Sequence, residues 1–217
     1  MIHPCRVSLL LGMTLLVGCS TTTYNTLSTI KQAALGDSDV VVSMSQVENL
    51  PYASAYIRVG DNPQAFVVLA FADKNGNLSW MSADHTLFIT HAGRIIKTVG
   101  LENDLMLLSS ASRDPLKSTH IDHPVSWRFQ AEWAKDYVSG YTLLSQIKTV
   151  KEVTLPILDK KYDTWLLEES IELEHSGEGW QNRYWVDSQT GAILKSEQQL
   201  GPHLPVIEMT ILKPYSS

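Results

Sequence analysis

The sequence predicts a mostly β domain: an antiparallel curved sheet, half-barrel or sandwich-like, with one short N-terminal helix. Three observations carry this prediction. From about Val40 onward the chain is a succession of short runs rich in aromatic and β-branched residues. Turn chemistry separates those runs, as in Asp73-Lys74-Asn75-Gly76-Asn77 and His91-Ala92-Gly93. Nowhere does a strand pattern alternate with a long helical one, which argues against a parallel α/β fold.

In chain order, Ser20 to Asn25 is a Ser/Thr-rich leash without apolar period. Thr26 to Leu35 reads as the helix, with Leu27, Ile30, Ala34 and Leu35 near helical spacing and Gly36 as its stop. Strands are expected over Tyr52–Val59, Ala65–Ala72, Thr86–Thr90 and Arg94–Val99. Asn75-Gly76 supplies the positive φ that a tight hairpin needs. The pattern breaks down between Asn103 and His123, where Arg113-Asp114-Pro115 reads as a loop. In Val125–Trp133, Val125, Trp127, Phe129 and Ala131 alternate with Ser126, Arg128, Gln130 and Glu132, one face apolar and the other polar. Tyr141–Leu155, Trp165–His175, Asn182–Asp187 and Ala192–Leu200 continue the series.

Ahead of the domain, Val7 to Val17 is an apolar run roughly half the ~20 residues needed to cross a bilayer core. Arg6 precedes it and small residues follow, the layout of a secretory signal. Its end, Leu16-Val17-Gly18-Cys19, resembles the lipobox of bacterial lipoproteins. That resemblance implies cleavage between Gly18 and Cys19, diacylglycerol and a further acyl group on Cys19, and a membrane held through lipid, since more than one chain gives stable attachment. Ser20 in place of Asp implies the outer membrane, periplasmic face. The expected organisation is therefore a signal over 1–18, a lipidated tether over 19–25 and a single β-rich domain over 26–217.

Of 217 residues, 44% are hydrophobic and 18% charged, ample for a packed core. Cys5 leaves with the signal and Cys19 carries lipid, so no disulfide is expected. The net charge is −6 and no Lys/Arg cluster stands out. Nucleic acid is excluded as a partner, because phosphate binding needs a basic footprint.

Candidate chemistry is sparse. Glu168, Ser170, Glu172 and Glu174 fall on one face of a strand and Leu167, Ile171 and Leu173 on the other, the pattern of a solvated sheet face. No spacing sets two carboxyls across a substrate. His120-Ile121-Asp122-His123 lacks the further ligands of a metal site, and Asp73, Asn75 and Asn77 imitate a calcium loop whose glycine falls in the wrong place. No nucleophile elbow or phosphate-cradling loop is present. No catalytic residue, metal or cofactor is expected, and the chain reads as a non-enzyme. Of six tryptophans, about two thirds are assigned to the core on general burial tendency. Trp180, inside Gly177-Glu178-Gly179-Trp180-Gln181, is expected to be exposed and to serve as a contact residue.

Three passages carry a further resemblance: Leu50-Pro51-Tyr52-Ala53-Ser54, Trp80-Met81-Ser82-Ala83-Asp84, and His91-Ala92-Gly93-Arg94 continuing through Thr98, Gly100, Leu101 and Asp104. Together they resemble the GfcB/YjbF family of group 4 capsule and exopolysaccharide lipoproteins. The resemblance singles out Tyr52, Trp80, Gly93, Arg94, Thr98, Gly100 and Asp104 as structural or contact positions. Gly93 suits a turn and Gly100 a strand end; an Arg94–Asp104 pair would lock the hairpin. Tyr184 to Ser196, with its Asp-x-x-Thr-Gly turn, is similar to a hairpin of LolA/LolB-like periplasmic proteins, whose half-barrel shelters acyl chains.

What these resemblances imply is an outer-membrane accessory factor, without enzymatic activity, in surface polysaccharide assembly or export. Its partners would be export proteins or the glycan itself. The alternative is a carrier of lipid or lipidated cargo, and third comes a polysaccharide-modifying enzyme.

Overall fold

A computed structural model describes residues 38–117, 121, 123–135 and 140–216. Gly18, Cys19, the leash and the helix expected over Thr26–Leu35 lie outside the described residues, as do His120 and Asp122. The elements are α1 (Met44–Asn49), β1 (Ser54–Val59), β2 (Ala65–Ala72), β3 (Asn77–Met81), β4 (Leu87–His91), β5 (Arg94–Val99), β6 (Leu105–Ser109), a 3-10 turn (Pro115–Lys117), β7 (Val125–Trp133), β8 (Tyr141–Ile157), β9 (Lys160–Leu173), β10 (Gly179–Asp187), β11 (Ile193–Gln199) and β12 (Val206–Lys213).

All twelve strands belong to one antiparallel sheet in the order β5-β4-β3-β2-β1-β12-β11-β10-β9-β8-β7-β6. It is a meander wrapped into a nearly closed barrel. Neighbours in space are neighbours in sequence except where β1 joins β12, with Ser54 opposite Lys213 and Val59 opposite Ile207. The two ends of the sheet, β5 and β6, are consecutive strands that meet through side chains and the corner between them.

The expected strands form, several with the expected bounds. Ala65–Ala72, Arg94–Val99 and Val125–Trp133 are strands over those residues. The Asn75-Gly76 hairpin is present with Gly76 at φ +85°. Asp73 Oδ1 accepts from the backbone N–H of Asn75 and Asn77, so the trio that imitates a calcium loop spends that oxygen on its own turn. Strands β3, β6 and β12 and helix α1 fall where the sequence pattern gave no strand or helix. α1 starts at a capping box, with Ser43 accepting from Gln46 N–H and the Gln46 side chain accepting from Ser43 N–H.

Alternation decides what is inside. In β7, Trp127, Phe129, Ala131 and Trp133 are buried while Ser126, Arg128 and Gln130 face out. In β9 the inward residues are Leu167, Glu169, Ile171 and Leu173. Three packed clusters fill the interior, one around Ile57, Val67, Trp80, Phe88, Ile95 and Met209, another around Leu105, Trp127, Phe129, Trp133, Leu143, Ile171 and Trp180, and one around Leu116, Ile147, Leu167, Tyr184 and Val186. A fourth cluster lies where Val40, Val42, Val47 and Leu50 pack with Phe66, Leu212 and Leu155 and Ile157 at the end of β8. The leading segment is also pinned by polar contacts: Asp39 accepts from Arg58 at 2.6 Å and from Gln64 N–H at 2.8 Å, and Val42 N–H donates to the Tyr56 hydroxyl at 2.7 Å.

Candidate functional site

The singled-out residues from Gly93 to Asp104 build the closure of the barrel. Ala92 and Gly93, both at positive φ, turn β4 into β5. A Cβ on Gly93 would sit 2.5 Å from Ile193 Cδ1, so only a bare backbone approaches β11 this closely. The edge of β5 is then paired by a side chain: the Gln198 amide donates to Gly93 C=O at 2.9 Å and accepts from Ile95 N–H at 3.0 Å. An edge that would invite another strand is thereby occupied.

At the other end of β5, Asp104 organises the corner. Its carboxylate accepts from the Thr98 hydroxyl at 2.9 Å, Gly100 N–H at 2.9 Å and Leu101 N–H at 3.0 Å. Thr98 Oγ1 in turn accepts from Leu105 N–H at 2.9 Å, tying β5 to β6. Gly100, at φ +100°, makes the bend possible. The expected Arg94–Asp104 pair is thus corrected. Asp104 is fully engaged with the corner, and Arg94, at the opposite end of β5, points into the barrel.

There Arg94 is buried, 2% exposed, and each of its five N–H groups has a partner. Nε and Nη2 donate to Asp114 at 2.6 and 3.2 Å. Nη1 and Nη2 donate to Glu169 at 2.8 and 3.0 Å. The remaining Nη1 proton goes to the Tyr184 hydroxyl at 3.2 Å, which itself donates to Glu169 at 2.8 Å. Ser145 adds a 2.6 Å donation to Glu169, and the guanidinium carbon lies 4.6 Å from the centre of the Trp127 ring.

Electrostatics keeps this cluster fixed. Burial opposes the charge on Arg94 most strongly, yet the Glu169, Tyr184 and Asp114 contacts outweigh it and hold the guanidinium pKa well above its ordinary value. Burial, with Glu169 beside it, likewise pushes the Tyr184 phenol well up against the opposing pull of Arg94. The arrangement can hold charge and resist change. It is a bolt joining β5, the loop after β6 and β9, and its saturated donors leave Arg94 no N–H for a ligand.

Other singled-out residues scatter. Trp80 is 1% exposed and its Nε1 donates to Thr90 Oγ1 at 3.0 Å. Tyr52 is half-exposed just before β1. Trp180 is corrected: it is only 9% exposed. Its glycine flanks suggest an open loop, but β10 begins at Gly179, and the ladder places Trp180 opposite Ile171 on the inward side. Four of the six tryptophans are buried, as general tendency predicts, and Trp180 is among them. The solvated face of Glu168, Ser170 and Glu172 forms as expected, whereas Glu169 proves the functional member of that run for the fold.

Open surface lies elsewhere. A groove of about 790 Å³ crosses β7 to β10, lined by Ser126, Arg128, Gln146, Ser170, Glu172 and Gln181 among others. Sequence reasoning missed it, because a row across four strands exists only in the register. A smaller cleft of about 300 Å³ is lined by Leu78, Trp80, Ile193, Met209 and Ile211 with Lys117, Lys195 and Tyr215. Among the described residues no group of three or more His, Cys, Asp or Glu is placed to hold a metal ion, and no helix is long and apolar enough to cross a membrane.

Fold and closure define a class: an antiparallel barrel-like sheet, filled inside and shut by an arginine bolt. A model of the YjbF family, described as group 4 capsule polysaccharide lipoprotein GfcB, YjbF, matches residues 27–212. The chain belongs to this family. It is 31% identical over 201 residues to the uncharacterized lipoprotein GfcB of Escherichia coli K12, covering 92% of this chain and 94% of that one. To the uncharacterized lipoprotein YjbF of the same strain it is 31% identical over 210 residues, covering 96% and 97%. The crystal structure of the hypothetical lipoprotein YmcC from E. coli K12 superposes with a TM-score of 0.75 at 27% identity, over 92% of this chain and all of that one.

Proposed function

We propose that the protein is a non-enzymatic accessory factor in the assembly or export of a group 4 capsule or related exopolysaccharide. In this reading it is tethered through acylated Cys19 to the periplasmic face of the outer membrane, as a single β-rich domain on a short leash. The family match over residues 27–212 supports the process, and the lipobox-like Leu16-Val17-Gly18-Cys19 supports the anchor. The observation that carries the accessory role is the filled interior. Where a carrier would keep cargo, this barrel holds three packed clusters and the Arg94 bolt. Its working surfaces are then outside, where export proteins or glycan would meet it.

Deletion of the gene, with secreted and cell-bound polysaccharide measured, tests this directly. A fall in output, restored by the intact chain but not by a Cys19→Ala chain, is expected. Unchanged output would sink the proposal. One observation favours the carrier as a second reading: the 300 Å³ cleft with apolar walls and lysines at its lining. Lipid co-purifying stoichiometrically with the tether-free domain would favour that reading instead.

A further inference from the structure

We propose that the outer face of β7 to β10 is a binding track for an uncharged stretch of polysaccharide chain. This rests on the polysaccharide reading above and adds the place and chemistry of contact.

The register sets Ser126, Gln146, Ser170 and Gln181 in one row across four neighbouring strands. All four are exposed, and none of their side chains hydrogen-bonds another described residue. With strands ~4.8 Å apart, the row offers hydroxyl, amide, hydroxyl, amide at close to the length of one pyranose unit per step. A hydroxyl or a carboxamide both donates and accepts, as each hydroxyl of a sugar does, so the row can pair with a glycan without burying an unmatched group.

The rest of this outer face is different. Lys148 faces Glu168 at 3.9 Å, Arg128 pairs with Glu174 at 2.7 Å, and Arg183, Glu197, Lys195 and Glu208 form an ionic ladder. The row is therefore an uncharged strip, with the Lys148–Glu168 pair on one side and the exposed carboxylate of Glu172 on the other. Beside it Gly179 leaves the floor bare, since a Cβ there would lie 2.8 Å from Ile171 C=O. Leu144 is the apolar exception at 42% exposure, too little for a protein interface core of the usual apolar kind. A neutral polyhydroxylated chain fits this surface. An acidic one would meet a protein of net charge −6 without a basic cluster.

The probe is oligosaccharide cut from the source strain's own surface polysaccharide, titrated into the mature chain with NMR detection. The side-chain NH2 signals of Gln146 and Gln181 should shift, with little dependence on salt. The double variant Gln146→Ala/Gln181→Ala should lose at least tenfold in affinity at unchanged thermal stability, while Lys148→Ala in the next row should not. No binding, shifts confined to other surfaces, binding abolished by salt, or a face masked by self-association would each overturn the track. The two proposals separate in a deletion strain. If output falls on deletion and the double variant restores it fully, the track is wrong and the export role stands. If deletion changes nothing, the export role itself fails.

Discussion

Arg94 and Glu169, 75 positions apart, form a two-pronged ion pair with Nη1 to Oε2 at 2.8 Å and both side chains withdrawn from solvent. Removing Arg94 leaves the Glu169 and Asp114 carboxylates as unmatched buried charges, at about 3–5 kcal/mol. Arg94→Met should lower the denaturant midpoint accordingly, whereas Glu169→Gln, which leaves Arg94 paired with Asp114, should cost less. Arg94→Met combined with Glu169→Leu should cost clearly less than the two single changes added. Additive losses in equilibrium unfolding would show that the two act separately.

The corner predicts a local effect. Asp104→Ala strips one hydroxyl and two backbone N–H groups of their acceptor, a loss of about 2 kcal/mol at an unfavourable but partly solvated site. Amide exchange at Gly100, Leu101 and Leu105 should accelerate, while Trp180 and Tyr184 on β10 keep their protection. Uniform acceleration across the sheet would contradict a local role.

Two glycines at similar φ separate strain from space. Gly76→Ala adds a Cβ 3.6 Å from His91 Cε1, and Gly93→Ala adds one 2.7 Å from Ile193 Cβ. Both incur left-handed strain of about 1–2 kcal/mol. Only the second adds overpacking of about 1–3 kcal/mol. Thermal unfolding should rank Gly93→Ala well below Gly76→Ala, and Ile193→Val should not rescue it because the Cβ contact remains.

The Tyr184 phenol predicts an alkaline limit. Its folded pKa is raised well above 10 by burial first, with Glu169 adding and Arg94 opposing. Above pH ~10 the unfolded chain releases this proton while the folded one keeps it. The unfolded state then binds fewer protons, so stability falls as pH rises from there towards the folded pKa, and is undiminished below it. Tyr184→Phe should be less stable at neutral pH, having lost the bond to Glu169, and should show a shallower decline above pH 10. Parallel declines in urea midpoints would refute the assignment.

Local pattern reached much of this fold and little of its closure. Val125–Trp133 was legible because one face buries and the other does not, and Asn75-Gly76 because its backbone geometry suits few other pairs. Leu105–Ser109 was not, since Leu-Met-Leu-Leu-Ser has no alternation and its β-bulge breaks the period. Residues 206–213, bracketed by Pro205 and Pro214, and the Ser43–Gln46 box carried signals that could have been read. Glu169 shares parity with Leu167 and Ile171, so its inward direction was readable as well. Its partner was not, because nothing in a sequence of local runs states that residue 94 and residue 169 meet. The same limit hid the Ser126–Gln181 row, which depends on three registers at once.

The pairing of β1 with β12 sets the order of assembly. Ser54 waits for Lys213, and this ladder joins the first strand to the twelfth in a sheet whose open ends, β5 and β6, share no ladder. Such long sequence separation slows acquisition of the native state. A chain threaded or synthesised from its beginning therefore stays open, with strand β1 lacking one neighbour, until the final staves 206–213 emerge. Maturation is timed by the tail of the polypeptide, and any truncation there leaves an aggregation-prone seam.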